Sequence, residues 1–77
     1  MRKIEELIKE RDYIRSQGIS AKIMMDRQRE YTVFARKHTS DPWCLVDKRL
    51  WKRAKKVGFA QAFDEHTCLA KFFSLPA

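Results

Sequence analysis

The stretch ISAKIMMDRQREYTVFARKH, residues 19 to 38, decides the fold of this chain of 77 residues. Apolar and polar side chains alternate over residues 19–26 and again over residues 30–36, and YTVF is rich in strand-favouring residues. This alternation predicts an antiparallel hairpin that turns near Arg27 and Gln28. A continuous helix is the alternative, because no Gly, Asn or Pro marks the turn.

The segment before this stretch, residues 2–17, is predicted to form an amphipathic helix. Its apolar residues recur at helical spacing, and Gly18 is well placed to end the helix in the left-handed conformation. The sequence QGIS, residues 17–20, resembles the turn of a helix-turn-helix, which requires the all-helical alternative for residues 20–38. The predicted apolar stripe consists of Ile4, Leu7, Ile8 and Ile14.

Two interpretations compete for residues 41–47. In one, Asp41 and Pro42 begin a helix. In the other, residues 43–46 form a short third strand and Asp47 caps the helix that follows. Both interpretations make residues 48–57 helical and end that helix at Gly58.

A last amphipathic segment covers roughly residues 61–74. Asp64 and Glu65 are typical of the first turn of a helix, where acidic side chains are favourable. The apolar side of this segment is expected to bury Phe63, Leu69, Phe72 or Phe73.

Together these patterns predict a small α+β domain that spans residues 1–77. An N-terminal helix leads into a short antiparallel hairpin, with a possible third strand, and two C-terminal helices follow. An all-α four-helix bundle is the alternative.

Positive charge is concentrated in the middle of the chain. The formal net charge is +7, and residues 21–56 hold eleven basic and four acidic side chains, a difference equal to that total. Residues 1–20 hold five basic and four acidic side chains, and residues 57–77 hold one and two. Such a surplus attracts nucleic acid, acidic protein surfaces or anionic lipid.

The sequence KRLWKRAKK, residues 48–56, is the centre of this surplus. Helical spacing places Leu50, Ala54 and Val57 on one arc, with Trp51 at its edge. The opposite arc holds basic residues without the interspersed acids that residues 2–17 contain. Its predicted phosphate-binding residues are Lys48, Arg49, Lys52, Arg53, Lys55 and Lys56.

These observations predict a non-enzymatic protein that binds DNA or RNA through the cationic arc. Trp51 either stacks on a base or closes the rim of the core. Four further cations extend the patch if the hairpin brings them to the same side: Arg27, Arg29, Arg36 and Lys37. The alternative is a protein-binding modulator or inhibitor whose basic face docks on an acidic partner, such as one that handles nucleic acid.

Metal binding and catalysis have weaker support in the sequence. His38, Cys44, His66 and Cys68 are the only His and Cys residues, but their spacing does not match that of zinc knuckles. We expect the cysteines to be reduced core residues and expect no metal or cofactor. A small ribonuclease would need His38 or His66 as a base, and neither has an evident partner, so we predict no enzyme.

No long apolar run follows the basic N-terminus. We therefore expect no signal peptide, no membrane-spanning segment and a cytoplasmic location. A membrane surface is the least favoured partner, because the apolar arc of residues 48–57 is small and is needed for the core.

Overall fold

The computed structural model describes residues 3–66. In chain order, its elements are α1 (Ile4–Ser16), β1 (Ser20–Met25), β2 (Tyr31–Arg36), β3 (Cys44–Leu45), α2 (Lys48–Val57) and α3 (Phe59–Glu65). The strands form one antiparallel sheet in the order β1-β2-β3. The α+β prediction is confirmed. The four-helix bundle and the helix-turn-helix are wrong, because residues that both need as helix form the hairpin.

The hairpin closes through a turn that uses Asp26 and Arg29 where Gly or Asn is common. The Asp26 N–H donates to the Glu30 carbonyl over 2.8 Å, and the Arg29 N–H donates to the Asp26 carbonyl over 3.1 Å. The Asp26 carboxylate accepts from the N–H groups of Gln28 and Glu30 at 2.8 and 3.0 Å. Arg29 adopts the left-handed conformation, with φ 63°. The turn predicted near Arg27 and Gln28 thus forms without glycine, through an Asx-type cap.

Helix α1 ends at Ser16, and Gly18 terminates it in the left-handed conformation, with φ 78°, as the sequence predicts. The Ile19 N–H donates to the Ile14 carbonyl over 3.4 Å, and the Gly18 N–H donates to the Arg15 carbonyl over 3.0 Å. These two bonds form the Schellman motif. Ile14 and Ile19 are both buried, so the apolar contact of the motif fixes the direction in which the chain enters β1.

The core lies between the helices and one face of the sheet. Its buried residues include Leu7 and Ile14 from α1, Ala21, Val33 and Ala35 from the sheet, and Leu50 and Phe59 from α2 and α3. Of the predicted stripe on α1, Ile4 and Ile8 remain exposed, at 51% and 37%. Leu7 and Ile14 are two turns apart on α1. The surface of α1 that packs on the core is therefore narrower than the apolar stripe predicted from the sequence.

Residues 43–47 follow the strand interpretation. Within β3, Leu45 pairs with Phe34 and Cys44 pairs with Ala35. Asp47 then caps α2, and its carboxylate accepts from the Leu50 N–H over 2.9 Å. The alternative helix beginning at residues 41 and 42 is wrong, because β3 adds to the sheet through this part of the chain.

Helix α3 begins earlier than the sequence suggests. Gly58, with φ 90°, ends α2 and is followed directly by the first residue of α3, Phe59. Asp64 and Glu65 therefore lie in the last turn of α3, and their expected place in a first turn is wrong. Phe63 is half-buried, as predicted. The remainder of the predicted final segment, with Leu69, Phe72 and Phe73, lies outside the described residues.

Candidate nucleic-acid interface

Helix α2 presents two different sides. Leu50 is buried, and Trp51, Ala54 and Val57 are half-buried against the other helices. The solvent side is defined by six exposed basic residues, which we call the α2 cationic face: Lys48, Arg49, Lys52, Arg53, Lys55 and Lys56. The helical spacing of the sequence predicts this division.

One edge of the α2 cationic face is neutralised by α3. The Arg53 Nε donates to Glu65 Oε2 over 2.8 Å, and its Nη2 donates to Glu65 Oε1 over 3.2 Å. The Gln61 amide donates to the same carboxylate over 3.3 Å. The hydrogen bond from Arg53, followed by that from Gln61, lowers the pKa of Glu65, and the Glu65 bond raises the pKa of Arg53. The expectation of a face without balancing acids is therefore wrong at Arg53.

The other five cations of the face keep their charge unbalanced. Within residues 3–66, no ion pair joins any of them to a carboxylate. Lys48, Lys52 and Lys56 follow one another at i,i+4 spacing, where like charges repel by about a few tenths of a kcal/mol per pair. The row of lysines therefore carries mutual repulsion that nothing within residues 3–66 neutralises.

The four additional predicted cations do not form one extension of the face. Arg27 and Arg29 lie in the hairpin turn before β2, whereas Arg36 and Lys37 lie at its other end. Strand β2 has six residues, so its two ends lie roughly 17 Å apart. The two pairs therefore mark opposite ends of the sheet.

Arg36 and Lys37 are engaged in contacts away from α2. The Arg36 guanidinium lies 4.2 Å from the centre of the Trp43 ring, and its Nη1 donates to the Asp41 carbonyl over 3.3 Å. Lys37 forms an ion pair with Asp64 of α3. These contacts tie the end of β2 to its neighbours, so the two residues are not part of the α2 cationic face.

The other edge of α2 opens onto an aromatic groove. Trp51 lies beside Phe59 and Tyr13, with ring centres 5.2 and 6.0 Å away. Tyr13 is 45% exposed. Trp51 thus contributes to the core on one side and lines open space on the other. The α1–α2 groove has a volume of about 340 Å³ and is lined by Lys9, Glu10, Tyr13, Trp51, Ala54 and Lys55.

The sequence predictions included Trp51 and Lys55 but missed the α1 side of this groove. Lys9 and Tyr13 are one turn apart on the flank of α1 that faces α2. A Lys and a Tyr at i,i+4 beside the apolar stripe are the signal in the sequence. This pattern indicates a groove only once α2 is known to lie along that flank of α1.

A wider depression of about 1030 Å³ continues from the α1–α2 groove toward the hairpin turn. The two share Glu10, Trp51 and Lys55 in their linings. Asp26 and Asp47 also line the depression, and both carboxylates already accept hydrogen bonds from backbone N–H groups. On the side of the depression formed by α2, the lining includes Lys48, Lys52 and Lys55.

The zinc hypothesis gains no support from the described residues. Within residues 3–66, no three His, Cys, Asp or Glu side chains approach one another as metal ligands. Cys44 is disulfide-bonded, so its expected state as a reduced thiol is wrong, and a disulfide sulfur is not a thiolate ligand. Cys68 lies outside the described part of the chain.

Comparison with protein-family models, with curated proteins and with solved structures finds no match to this chain. Among the helices of residues 3–66, none has the length and apolar composition that crossing a bilayer requires.

Proposed function

We propose that this protein is a non-enzymatic nucleic-acid-binding protein. The observation that carries the proposal is the α2 cationic face, where five exposed cations have no ion pair within residues 3–66. Phosphate groups neutralise such a row and release the counterions that nucleic acid carries, which is the main source of sequence-independent affinity. The principal contacts are Lys48, Arg49, Lys52, Lys55 and Lys56, with Arg53 available when Glu65 releases it.

The length of α2 sets the number of phosphates that this face contacts. A helix of ten residues is about 15 Å long. One strand of duplex carries a phosphate about every 3.4 Å along the axis, so α2 covers roughly four of them. Arg27 and Arg29 add contacts only for a ligand that extends past the start of α2 to the hairpin turn.

The test is a binding titration at about 50 mM salt with single-stranded and duplex DNA and RNA. The variant Lys48→Gln/Lys52→Gln removes two charges from the N-terminal half of the face. It also relieves an i,i+4 repulsion, so the helix is expected to stay folded. Affinity is expected to fall by roughly 10- to 100-fold, since each lost phosphate contact costs about tenfold at that salt concentration.

The matched control is Lys3→Gln/Arg11→Gln, which removes the same number of charges from α1 and its N-cap, outside α2 and the hairpin turn. We expect its affinity to stay within about threefold of the wild type, because long-range attraction is screened over about 10 Å. If the two double variants lose affinity equally, net charge and not the α2 face determines binding. If the folded wild type binds none of the four nucleic acids, the proposed function is wrong.

A second candidate function is docking onto an acidic protein, as a modulator or inhibitor. The observation that favours it is apolar exposure outside α2: Ile4, Met25 and Tyr31 are 51%, 45% and 57% exposed. Apolar side chains beside charged ones are typical of protein interfaces, whereas phosphate contacts do not use them. Under this alternative, Ile4→Ser and Tyr31→Ser weaken capture of the partner, and none of the four nucleic acids is bound.

A further inference from the structure

We propose that the α1–α2 groove binds one unpaired nucleobase, so that the protein prefers single-stranded nucleic acid to duplex. This inference rests on the proposed function and names its ligand more closely. It follows from the contrast between the two edges of α2. Arg53 at one edge is paired with Glu65, whereas Lys55 at the other edge borders an open aromatic groove.

The lining of the groove suits the flat face of a base. Tyr13 and Trp51 contribute two rings whose planes are inclined by 46°, and the small side chain of Ala54 lines the groove on the α2 side. Phe59 packs against both rings from the core side. Its ring centre lies 6.3 Å from that of Tyr13 and 5.2 Å from that of Trp51. The groove, at about 340 Å³, is at the lower end of the roughly 300–1,000 Å³ common for ligand sites.

The charges around the groove suit the phosphates on either side of that base. Lys9 lies on the α1 side and Lys55 on the α2 side, and the two lysines outnumber the single carboxylate of the lining, Glu10. From Lys55 the α2 cationic face continues through Lys52 to Lys48. A strand that places one base between the two helices therefore has cations before and after it, as in proteins that bind single strands by stacking and charge.

A duplex does not place a base in the α1–α2 groove. Paired bases are stacked on their neighbours, so their faces are not accessible to protein aromatic rings. A duplex contacts the α2 cationic face through its phosphates alone. Stacking is worth about 1–3 kcal/mol per base, which corresponds to a preference of roughly 5- to 150-fold for the single strand.

The experiment measures fluorescence anisotropy with labelled oligothymidine and oligouridine of about 12 nucleotides, within the range of typical single-strand sites. A mixed-sequence DNA duplex of the same length is the reference. The test variant is Tyr13→Leu, which removes the ring but keeps an apolar side chain of good helix propensity. The matched control is Tyr31→Leu, since Tyr31 is 57% exposed and lies on β2, away from the groove.

We expect Tyr13→Leu to weaken binding of both single strands by roughly 5- to 150-fold and binding of the duplex by less than about twofold. Tyr31→Leu is expected to change neither, and Tyr13→Phe to retain single-strand binding because the ring remains. The affinities for oligothymidine and oligouridine are expected to fall by similar factors, because base faces and phosphates are common to DNA and RNA.

Three results overturn the inference. In the first, wild-type protein binds the duplex as tightly as the single strands. In the second, Tyr13→Leu weakens both ligands equally, or neither. In the third, polyglutamate competes as well as an oligonucleotide of equal charge, which shows that charge alone, and not stacking in the groove, determines binding. In the first two cases nucleic-acid binding persists, so the proposed function stands without the groove. If wild-type protein binds no nucleic acid, both the groove inference and the proposed function are wrong.

Discussion

Arg29 occupies the left-handed conformation, with φ 63°, at an exposed position in the hairpin turn. A Cβ in this conformation costs about 1–2 kcal/mol, and the greater freedom of glycine in the unfolded chain offsets about 0.5–1 kcal/mol of that. Arg29→Gly is therefore expected to raise the free energy of unfolding by about 0.5–1 kcal/mol. Urea unfolding, followed by circular dichroism, measures the change.

The control for this prediction is Arg29→Ala, which removes the same charge but keeps the Cβ. It is expected to leave the urea midpoint nearly unchanged. An equal gain in both variants would mean that relief of charge repulsion, and not backbone conformation, limits the stability of the turn.

The same turn explains why the hairpin was harder to predict than the strands. Alternation over residues 19–26 and 30–36 indicates both strands correctly, but the absence of Gly and Asn argues against a turn between them. Asp26 stabilises the turn in place of a glycine, because its carboxylate accepts hydrogen bonds from the N–H groups of Gln28 and Glu30. Arg29 adopts the left-handed backbone conformation that glycine usually adopts in such a turn. An aspartate directly before a short polar segment is thus the informative signal.

At the scale of the element, α2 depends on its cap. Asp47 accepts from the Leu50 N–H over 2.9 Å, and the first turn of α2 contains two cations and no acid, which opposes the helix dipole. Asp47→Ala is expected to lower the free energy of unfolding by about 0.5–2 kcal/mol. Asp47→Asn keeps a capping oxygen and is expected to lose much less; equal losses would show that the negative charge, and not the cap, is what α2 requires.

The Arg53–Glu65 pair makes the contact between α2 and α3 depend on pH. The pKa of Glu65 in the folded protein lies below its ordinary value of 4.5, first because Arg53 donates to it. A carboxyl group with a lowered pKa in the folded state stabilises at pH values above its unfolded pKa, and this contribution is lost as the pH falls. The urea midpoint of Glu65→Gln is therefore expected to lie below that of wild type at pH 7 and to converge with it as the pH falls through the lowered pKa of Glu65.

A double-mutant cycle separates this ion pair from other effects of the substitution. Arg53→Gln is expected to lose about as much as Glu65→Gln, and the double variant no more than either. The exposed position of both side chains predicts a small effect that high salt reduces further. Additive losses in the cycle would contradict a direct interaction.

At the scale of the whole molecule, the distribution of charge could be predicted but its pairing could not. Composition along the chain places the full surplus in residues 21–56, and helical spacing assigns six cations of α2 to one face. The pairs Lys37–Asp64 and Arg53–Glu65 depend on where α3 begins and how it packs. The α1–α2 groove likewise requires Tyr13 and Trp51 to meet across two helices, which neither local sequence indicates.

The number of phosphates that α2 spans predicts the salt dependence of binding. About four phosphate contacts give a plot of log affinity against log salt concentration with a slope of roughly −3.6 for duplex DNA and −2.8 for single strands. Glu65→Gln releases Arg53, so we expect tighter binding at low salt and a slope steeper by about one contact. Gln61→Ala, which removes a neutral hydrogen-bond donor to the same carboxylate, is the control and should leave the slope unchanged. An unchanged slope in Glu65→Gln would mean that the bound nucleic acid does not reach the α3 edge of the helix, and would confine its path to the side of α2 that borders α1.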